Sequence, residues 1–344
     1  VSLAYPIQIL MIAVSVGTGV GVNALLSRSL GEGKKKKAKL TADNAILLGI
    51  LASIMFALFG VLCTKLFFDS QTKSESIRQL GYSYLSVVTI FSFGLMLEVT
   101  FERILQSTGK TVFNMITQSV GAIINIILDP ILIFGFFGAP KLGIAGAAIA
   151  TVAGQIIAMI LSFIFNMKYN EDVDIRFGTH IFIPDFGIIK QIYKVGIPSI
   201  AMQAMSTLMI LGLNKILVTY SDMAVNVLGI YYKLQSFVFM PIFGLNNGMT
   251  PIVAFNYGAK NKDRIVKVLK YSLIASIVIM VIGTAIFWIF PKELIMLFSP
   301  NEEMLRLGIP AFRIYSLCFI LAAFDVMAIA TFQSLGNGMY ALYA

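Results

Sequence analysis

Polar side chains that could do chemistry lie inside long apolar stretches of this chain. In the stretch after Thr111, Gln118, Asn125 and Asp129 are spaced i, i+7 and i+11, which places them on one stripe of a helix. Asp129 precedes Pro130, whose missing N–H leaves a backbone carbonyl without its donor beside the acid. Intramembrane acids usually face a cavity or a polar partner, so the stripe is a candidate site. The alternative is a structural hydrogen bond between helices.

The stretches on either side have polar faces of the same kind. Thr151 and Gln155 share a face at i and i+4 in the following stretch. Glu98, Glu102 and Gln106 share another, at i, i+4 and i+8, in the preceding one. These faces extend the candidate site to three consecutive helices.

The composition indicates that these helices lie in a bilayer. Hydrophobic residues make up 58% of the chain, charged residues 12%, and the mean hydropathy is +0.86, whereas a soluble domain has about 25% charged residues. Nearly uncharged runs long enough to cross a membrane occupy residues 1–27, 44–64, 79–97, 111–128, 142–167, 195–214, 234–259, 271–291, and 314–324 continued past Asp325. The sequence therefore predicts an all-α integral membrane protein with about nine transmembrane helices.

The chain also repeats itself. Residues 227 positions apart match at glycines, at the ends of apolar runs and at an intramembrane acid: Gly17 with Gly244, Gly31 with Gly258, Gly81 with Gly308, Glu98 with Asp325, and Gln106-Ser107 with Gln333-Ser334. A fixed period indicates two copies of one unit, so we expect two pseudo-symmetric helix bundles. The alternative for Glu98 is a local ion-pair network with Glu102 and Arg103, and we expect Arg103 to snorkel or to pair.

The repeat predicts a larger parent of about twelve helices. The helix around 196–220 precedes the second copy, and its counterpart would precede residue 1. The first copy continues through helices ending near Met167, whereas the chain ends at the position that corresponds to Thr117. We therefore expect a fragment that lacks the first helix and the last two.

Basic loops predict the orientation and the domain boundaries. Residues 28–39 and 260–270 are rich in Lys and Arg, which places both loops in the cytoplasm and makes the two repeats parallel. The only long polar stretch, 168–187, is the predicted cytoplasmic linker. It separates an N-lobe over 1–167 (helices 2–6 of the parent) from a C-lobe over 188–344 (helices 7–10 and the start of 11). A short interfacial helix over 187–195, capped by Asp185, is expected to begin the C-lobe.

Several functions are not supported by the residues. Cys63 and Cys318 do not correspond under the repeat, and His180 is alone, so neither a disulfide framework nor a metal site is expected. No nucleophile lies with a base, so an enzyme is not expected, and the Gly17-x-Gly19-x-Gly21 cluster favours close helix packing over nucleotide binding. The net charge of +9 is a topology signal, and nucleic acid is not an expected partner. Transport would then draw on an ion gradient.

Four ordered motifs resemble those of one transporter family. They are Arg103-x-Leu105-Gln106-x-x-Gly109-x-Thr111, Asn125-x-x-x-Asp129-Pro130-x-x-Ile133-Phe134-Gly135, Gly143-x-x-Gly146-Ala147-Ala148-x-Ala150-Thr151-x-x-x-Gln155 and Pro251-Ile252-Val253-x-x-Asn256-Tyr257-Gly258-Ala259-Lys260. Together, inside a duplicated frame, they look like the signature of the multidrug and toxic compound extrusion (MATE) family. The similarity covers essentially the whole chain.

The resemblance implies a twelve-helix, two-lobe exporter of the cell membrane that exchanges H⁺ or Na⁺ for organic cations by alternating access. Asn125, Asp129 and Thr151 match three members of the family's N-lobe ion site, and the fourth, an Asp in the first helix, has no counterpart in this sequence. Oxygens of these three residues suit a proton or a hard cation such as Na⁺. No cofactor other than the coupling ion is implied, and we expect a monomer.

The expected substrates are lipophilic cationic drugs or dyes, because acids in the spans supply negative potential and Phe and Met supply adaptable walls. We accordingly expect a negative or neutral interlobe cavity with acids such as Asp129, Glu98 or Asp325 within reach. The full candidate set for ion coupling and the substrate cavity is Asn125, Asp129, Thr151, Gln155, Gln118, Glu98 and Asp325. The alternative function is a flippase for lipid-linked sugars or polysaccharides, whose cavity would need Arg and Lys for a pyrophosphate.

Overall fold

The structure, a computed structural model, describes residues 3–173, 175, 179–298 and 301–344. Over these residues it contains α-helices and short 3₁₀ turns and no strand. The helices are α1 Tyr5–Gly31, α2 Lys35–Leu62, α3 Thr64–Gln71, α4 Glu75–Ile90, α5 Phe93–Ser107, α6 Thr111–Phe134, α7 Ile144–Tyr169, α8 Phe186–Val218, α9 Asp222–Gly258, α10 Lys262–Ile289, α11 Pro291–Met296, α12 Glu302–Ser316, α13 Cys318–Ser334 and α14 Gly338–Tyr343.

Seven of the helices in the described part of the chain are long and apolar enough to cross a membrane. Two further spans are broken: α4 and α5 are bent by 41° at their junction, and α12 and α13 by 43°. Counting each bent pair as one span gives up to nine. The prediction of an all-α membrane protein with about nine spans is confirmed.

The internal repeat is visible in the helix boundaries. α2 (Lys35–Leu62) and α10 (Lys262–Ile289) begin and end 227 positions apart. The two bent pairs also correspond, because they begin at Glu75 and at Glu302. We call α1–α7 the N-lobe and α8–α14 the C-lobe.

The turns between the helices repeat as well. Gly33 and Lys260 end the turns after α1 and α9 with φ of 71° and 57°, and Gly109 and Gly336 end those after α5 and α13 with φ of 78° and 80°. Each pair lies 227 positions apart. Three of the four positions are glycines. Glycine has no Cβ, so it adopts this left-handed backbone conformation without the steric cost that other residues have.

The C-lobe begins with one continuous helix. The side chain of Asp185 accepts a hydrogen bond of 3.0 Å from the backbone N–H of Ile188, as the sequence predicts for a helix N-cap. The expected separate interfacial helix is wrong, because α8 continues through Pro198 to Val218. Residues 174 and 176–178 of the predicted linker lie outside the described residues.

The lobes meet where glycines let backbones approach. A Cβ on Gly17 would lie 2.4 Å from Cγ1 of Ile200, and one on Gly21 would lie 2.1 Å from the carbonyl oxygen of Ile192, so α1 packs against α8. At the other end of α1, a Cβ on Gly31 would lie 1.9 Å from the carbonyl oxygen of Phe255 in α9. The turns after α1 and α9 therefore lie side by side at one end of the molecule, and most of the basic residues of 28–39 and 260–270 follow them in the first turns of α2 and α10.

Candidate ion and substrate sites

The N-lobe site depends on the close approach of α6 and α7. A Cβ on Gly154 would lie 2.6 Å from the carbonyl oxygen of Gly121, and one on Gly146 would lie 2.4 Å from that of Leu132. Small residues at a crossing bring two membrane helices into backbone contact. Asn125, one turn after Gly121, is thereby held against α7, and its Cβ would lie 3.5 Å from a Cβ on Gly154.

Asn125 and Thr151 meet across this contact. The side-chain amide nitrogen of Asn125 donates to the Thr151 hydroxyl oxygen over 3.4 Å, and that hydroxyl donates to the carbonyl oxygen of Ala147 over 2.9 Å. Asp129 follows one turn later on the same face of α6. Its Oδ1 atom is buried and has no hydrogen-bond partner among the described residues.

This arrangement leaves oxygen atoms available to an ion. Asn125 uses its nitrogen toward Thr151, so its carbonyl oxygen is available. Asp129 offers the buried carboxylate oxygen. Carboxylate, amide carbonyl and hydroxyl oxygens are the ligands of hard cations, and a carboxylate can equally take up a proton.

A second polar cluster lies between α5 and α6. The Glu102 carboxylate accepts hydrogen bonds of 2.9 Å from the Thr117 hydroxyl and 2.9 Å from the Gln118 amide. The Asn114 amide donates to the backbone carbonyl of Glu102 over 2.8 Å. Gln118 therefore binds Glu102 and is not hydrogen-bonded to Asn125 or Asp129, although the three share a stripe in the sequence.

The remaining predicted residues are more dispersed. Gln155 packs near Gly94 of α5, with its Cβ 3.4 Å from the position of a Gly94 Cβ. Glu98 is half-buried on α5 and Asp325 is exposed on α13. Among the described residues, neither carboxylate has a recorded hydrogen bond or ion pair. Glu98 and Asp325 therefore correspond in the repeat but differ in burial.

An interlobe cavity of about 700 Å³ lies between α1, α5, α8, α9 and α13. It reaches from Tyr5 and Ile9, at the start of α1, to Asn23, near its end. Apolar side chains of all these helices except α5 line much of it. The polar lining consists of amides, hydroxyls and one guanidinium: Asn23, Arg103, Ser199, Gln203, Ser206, Thr207, Asn246, Asn247, Thr250 and Gln333.

The deep end of the interlobe cavity is closed by a hydrogen-bond network that joins the lobes. The Asn23 amide donates to the Gln106 side-chain carbonyl oxygen over 3.0 Å. Gln106 in turn donates to the backbone carbonyl of Asn247 over 2.6 Å. Ser107 donates to the Asn23 carbonyl oxygen over 3.1 Å. The Gln106-Ser107 pair, which marks the repeat in the sequence, therefore holds α5 against α1 and α9.

Arg103 is the charged residue of the described cavity lining. Its Nη1 donates to the side-chain oxygens of Gln106 over 2.8 Å and of Asn247 over 3.0 Å. The expectation of a negative or neutral cavity with acids in reach is wrong for the described lining, because Asp129, Glu98 and Asp325 are absent from it. The adjacent side chains of α5 point in different directions: Glu102 bonds to α6, whereas Arg103 lies against α1 and α9.

Sequence reasoning missed most residues of the interlobe cavity. Asn246 and Asn247 lie in an apolar run of α9, and two adjacent amides in such a run are a signal that could have identified them. Gln203 in α8 gives the same signal more weakly. Arg103 was predicted only to snorkel or pair, since one sequence does not show which lobe its side chain faces.

Comparisons with known proteins agree with this architecture. The family profile described as MatE matches residues 1–131 and 198–344. A protein of Thermotoga maritima named "Probable multidrug resistance protein NorM" is 27% identical over 91% of this chain and 67% of its own length. A Staphylococcus aureus protein named "Multidrug export protein MepA" is 26% identical over 98% of this chain and 73% of its own length.

Solved structures share the fold over nearly the whole chain. One, described as an outward-facing conformation of a multidrug resistance MATE family transporter, has a TM-score of 0.91 and 25% identity, covering 99% of this chain and 75% of that one. A second, from Pyrococcus furiosus, has a TM-score of 0.90 and 23% identity, covering 100% of this chain and 76% of that one. Its description reports reversed polarity of the binding pocket in that transporter. At this identity it shows the fold alone.

Proposed function

The chain belongs to the MatE family, and we propose that it exports amphiphilic drugs across the cell membrane in exchange for H⁺ or Na⁺. The relatives named above are multidrug transporters and not enzymes. The exchange proceeds by alternating access between two lobe arrangements. The coupling ion binds at Asn125, Asp129 and Thr151 in the N-lobe.

Asp129 is the observation on which this proposal rests. A buried carboxylate oxygen without a partner is costly in a membrane protein, and a bound proton or cation would satisfy it. The neighbouring Asn125–Thr151 contact supplies two further oxygens in the same part of the N-lobe. Loading the ion removes a negative charge, which changes the relative free energies of the two lobe arrangements.

The contact between the lobes supports alternating access. Backbone contacts at Gly31 and Gly258 join the lobes at the end of the molecule near the basic segments, while the interlobe cavity extends to the opposite end of α1. This is the arrangement expected of one of the two states. The other state would open these glycine contacts.

Lipophilic organic cations are the proposed principal substrates, as the resemblance implies, and their apolar parts would contact the apolar lining of the interlobe cavity. A flippase for lipid-linked pyrophosphates is less well supported, because one arginine in the described lining of the interlobe cavity is fewer bases than a diphosphate requires. In a competition assay, protection by a polyprenyl pyrophosphate together with no protection by ethidium would favour the flippase.

The test is ethidium transport by the purified protein in liposomes. Ethidium efflux is followed first under an imposed pH gradient at equal Na⁺, and then under a Na⁺ gradient at equal pH. We expect efflux under at least one gradient and its loss when an ionophore dissipates that gradient; liposomes without protein are the control. Efflux that is absent under both gradients, or that survives the ionophore, contradicts the proposal.

A further inference from the structure

Arg103 is the feature of the interlobe cavity that the proposed ion site leaves unused. Its guanidinium has five N–H donors, and the recorded hydrogen bonds use Nη1 alone, toward Gln106 and Asn247. Nε and Nη2 have no recorded partner among the described residues. Donors are therefore available to a molecule in the cavity.

Within the described part of the chain, no carboxylate contacts this guanidinium. Among the described residues, the ion pairs are those of Arg28, Lys34 and Arg78, and Arg103 forms none. The adjacent Glu102 turns its carboxylate to Thr117 and Gln118 instead. The Glu102 carboxylate acts on Arg103 electrostatically, but from beyond ion-pair distance, so a partner in direct contact with this guanidinium would come from elsewhere.

The surroundings of Arg103 are built to hold its side chain at the cavity. A Cβ on Gly19 would lie 2.7 Å from Cγ of Arg103 and 3.3 Å from its Nε, so the side chain crosses α1 at a position that only glycine leaves open. The Asn247 side chain fixes the guanidinium from the other lobe. Together these contacts orient Arg103 before any ligand binds.

We propose that Arg103 binds the carboxylate of those amphiphilic cations that also carry one, so that the interlobe cavity selects zwitterions with a single anionic group among the proposed substrates. A guanidinium matches a carboxylate through two parallel N–H···O bonds. One arginine without a second base balances one negative charge, which favours a carboxylate over a diphosphate. The apolar part of such a molecule would contact Met202, Phe243 and Ile329, while cavity amides bind its neutral polar groups. This inference rests on the proposed function.

A matched pair of dyes tests the inference by binding alone. Rhodamine 110 has a free carboxylate, and rhodamine 123 is its methyl ester. Binding of each dye to the purified protein in detergent is measured by fluorescence anisotropy. We expect the wild-type protein to bind the carboxylate dye more tightly than the ester. Arg103→Gln should lower the affinity for the carboxylate dye at least about tenfold and change the affinity for the ester less than about twofold.

Two further variants separate this role from a structural one. Arg103→Lys keeps the charge and should retain part of the preference for the carboxylate dye. Arg313→Gln removes an arginine that instead bonds the Trp288 carbonyl in the C-lobe, and it should leave both affinities unchanged. If Arg103→Gln does not fold, Gly19→Ala, which displaces the Arg103 stem, should still reduce the carboxylate preference.

If Arg103→Gln lowers the affinity for both dyes equally, the inference is overturned. Equal affinity of the wild-type protein for the two dyes would overturn it as well. Because binding in detergent needs no gradient, the result is independent of ion coupling. A protein that shows the expected dye selectivity but no gradient-driven efflux would support the Arg103 site and contradict the proposed coupling.

Discussion

Glu102 shows how a carboxylate is accommodated inside the N-lobe. It is buried and accepts hydrogen bonds from Thr117 and Gln118. Removing it takes this acceptor from the Gln118 amide and leaves the Thr117 hydroxyl with the Asn114 carbonyl alone. Hydrogen bonds to a charged group also contribute more to stability than those between neutral groups. Glu102 therefore stabilises the packing of α5 against α6 and is distinct from the proposed ion site at Asp129.

We expect Glu102→Ala to lower the free energy of unfolding by about 2 kcal/mol, seen as a lower Tm in detergent. Glu98→Ala is the matched control, since Glu98 is on the same helix and has no recorded hydrogen bond among the described residues. It should change the Tm much less. Equal effects of the two substitutions would show that the Thr117 and Gln118 contacts do not stabilise the fold.

Glu32, in the turn after α1, predicts a pH dependence. It pairs with Lys34 over 2.8 Å and with Arg28 over 2.9 Å. The hydrogen bond from Lys34, then that from Arg28, lower the pKa of Glu32 below its ordinary value of 4.5, although partial burial acts in the opposite direction. A lowered pKa in the folded state adds stability above the unfolded-state pKa, and this is lost as the pH falls through the folded-state pKa.

The measurement compares the Tm of the wild-type protein and of Glu32→Gln over a pH series. The wild type should be the more stable of the two at neutral pH. That difference should shrink as the pH falls below about 4.5. A difference that stays constant through acid pH would mean that the Glu32 charge makes no contribution.

Residue spacing predicts part of the N-lobe site and not the rest. Asn125 and Thr151 meet as the motifs predict, because helical periodicity and the short α6–α7 connection fix which faces meet. Gln118 shares the stripe of Asn125 but reaches Glu102, since a stripe eleven residues long passes more than one neighbour. Arg103 required knowledge of the lobe interface, which one helix does not contain.

At the scale of the elements, glycines determine how α1 packs. Gly17 and Gly21 face the backbone of α8, whereas their repeat partners Gly244 and Gly248 have no atom within 4 Å of an added Cβ. Among the described residues, an alanine at position 21 would therefore meet α8, whereas an alanine at position 248 would meet no neighbour.

Gly21→Ala places a methyl group 2.1 Å from a carbonyl oxygen of α8, and we expect it to lower the free energy of unfolding by about 2 kcal/mol. Gly248→Ala is the matched control. Alanine is more favourable than glycine in a helix by up to about 1 kcal/mol, and at this position it meets no neighbour, so the Tm should be unchanged or higher. The measurement is the Tm of both variants of the 344-residue chain; a larger loss at Gly248 would contradict this packing.

Helix boundaries were largely predictable at this scale, because uncharged runs and the repeat constrain them twice. α2 and α10 agree in both copies. The first helix of the C-lobe was not predictable from the sequence, since Pro198 suggests a break in the helix and α8 continues through it. Packing of α8 along α1 offsets the local cost of a proline.

At the scale of the whole molecule, two functions are separated in space. The proposed ion site lies within the N-lobe, whereas the interlobe cavity lies between the lobes and has Arg103 as its charged residue in the described lining. Helix α5 contacts both regions, because Glu102 accepts hydrogen bonds from Thr117 and Gln118 of α6, the helix of the ion site, and Arg103 lines the cavity. Ion loading at Asp129 would act on the cavity through such shared helices.

The proposed coupling of the ion to transport depends on the Asp129 carboxylate. Ethidium efflux from liposomes is compared for the wild-type protein, Asp129→Asn and the control Asp263→Asn, which changes an exposed acid in the first turn of α10. Asp129→Asn keeps the shape but removes the titratable group, so gradient-driven efflux should be abolished at unchanged protein levels, while Asp263→Asn retains it. Undiminished efflux by Asp129→Asn would remove Asp129 from the mechanism and contradict the account.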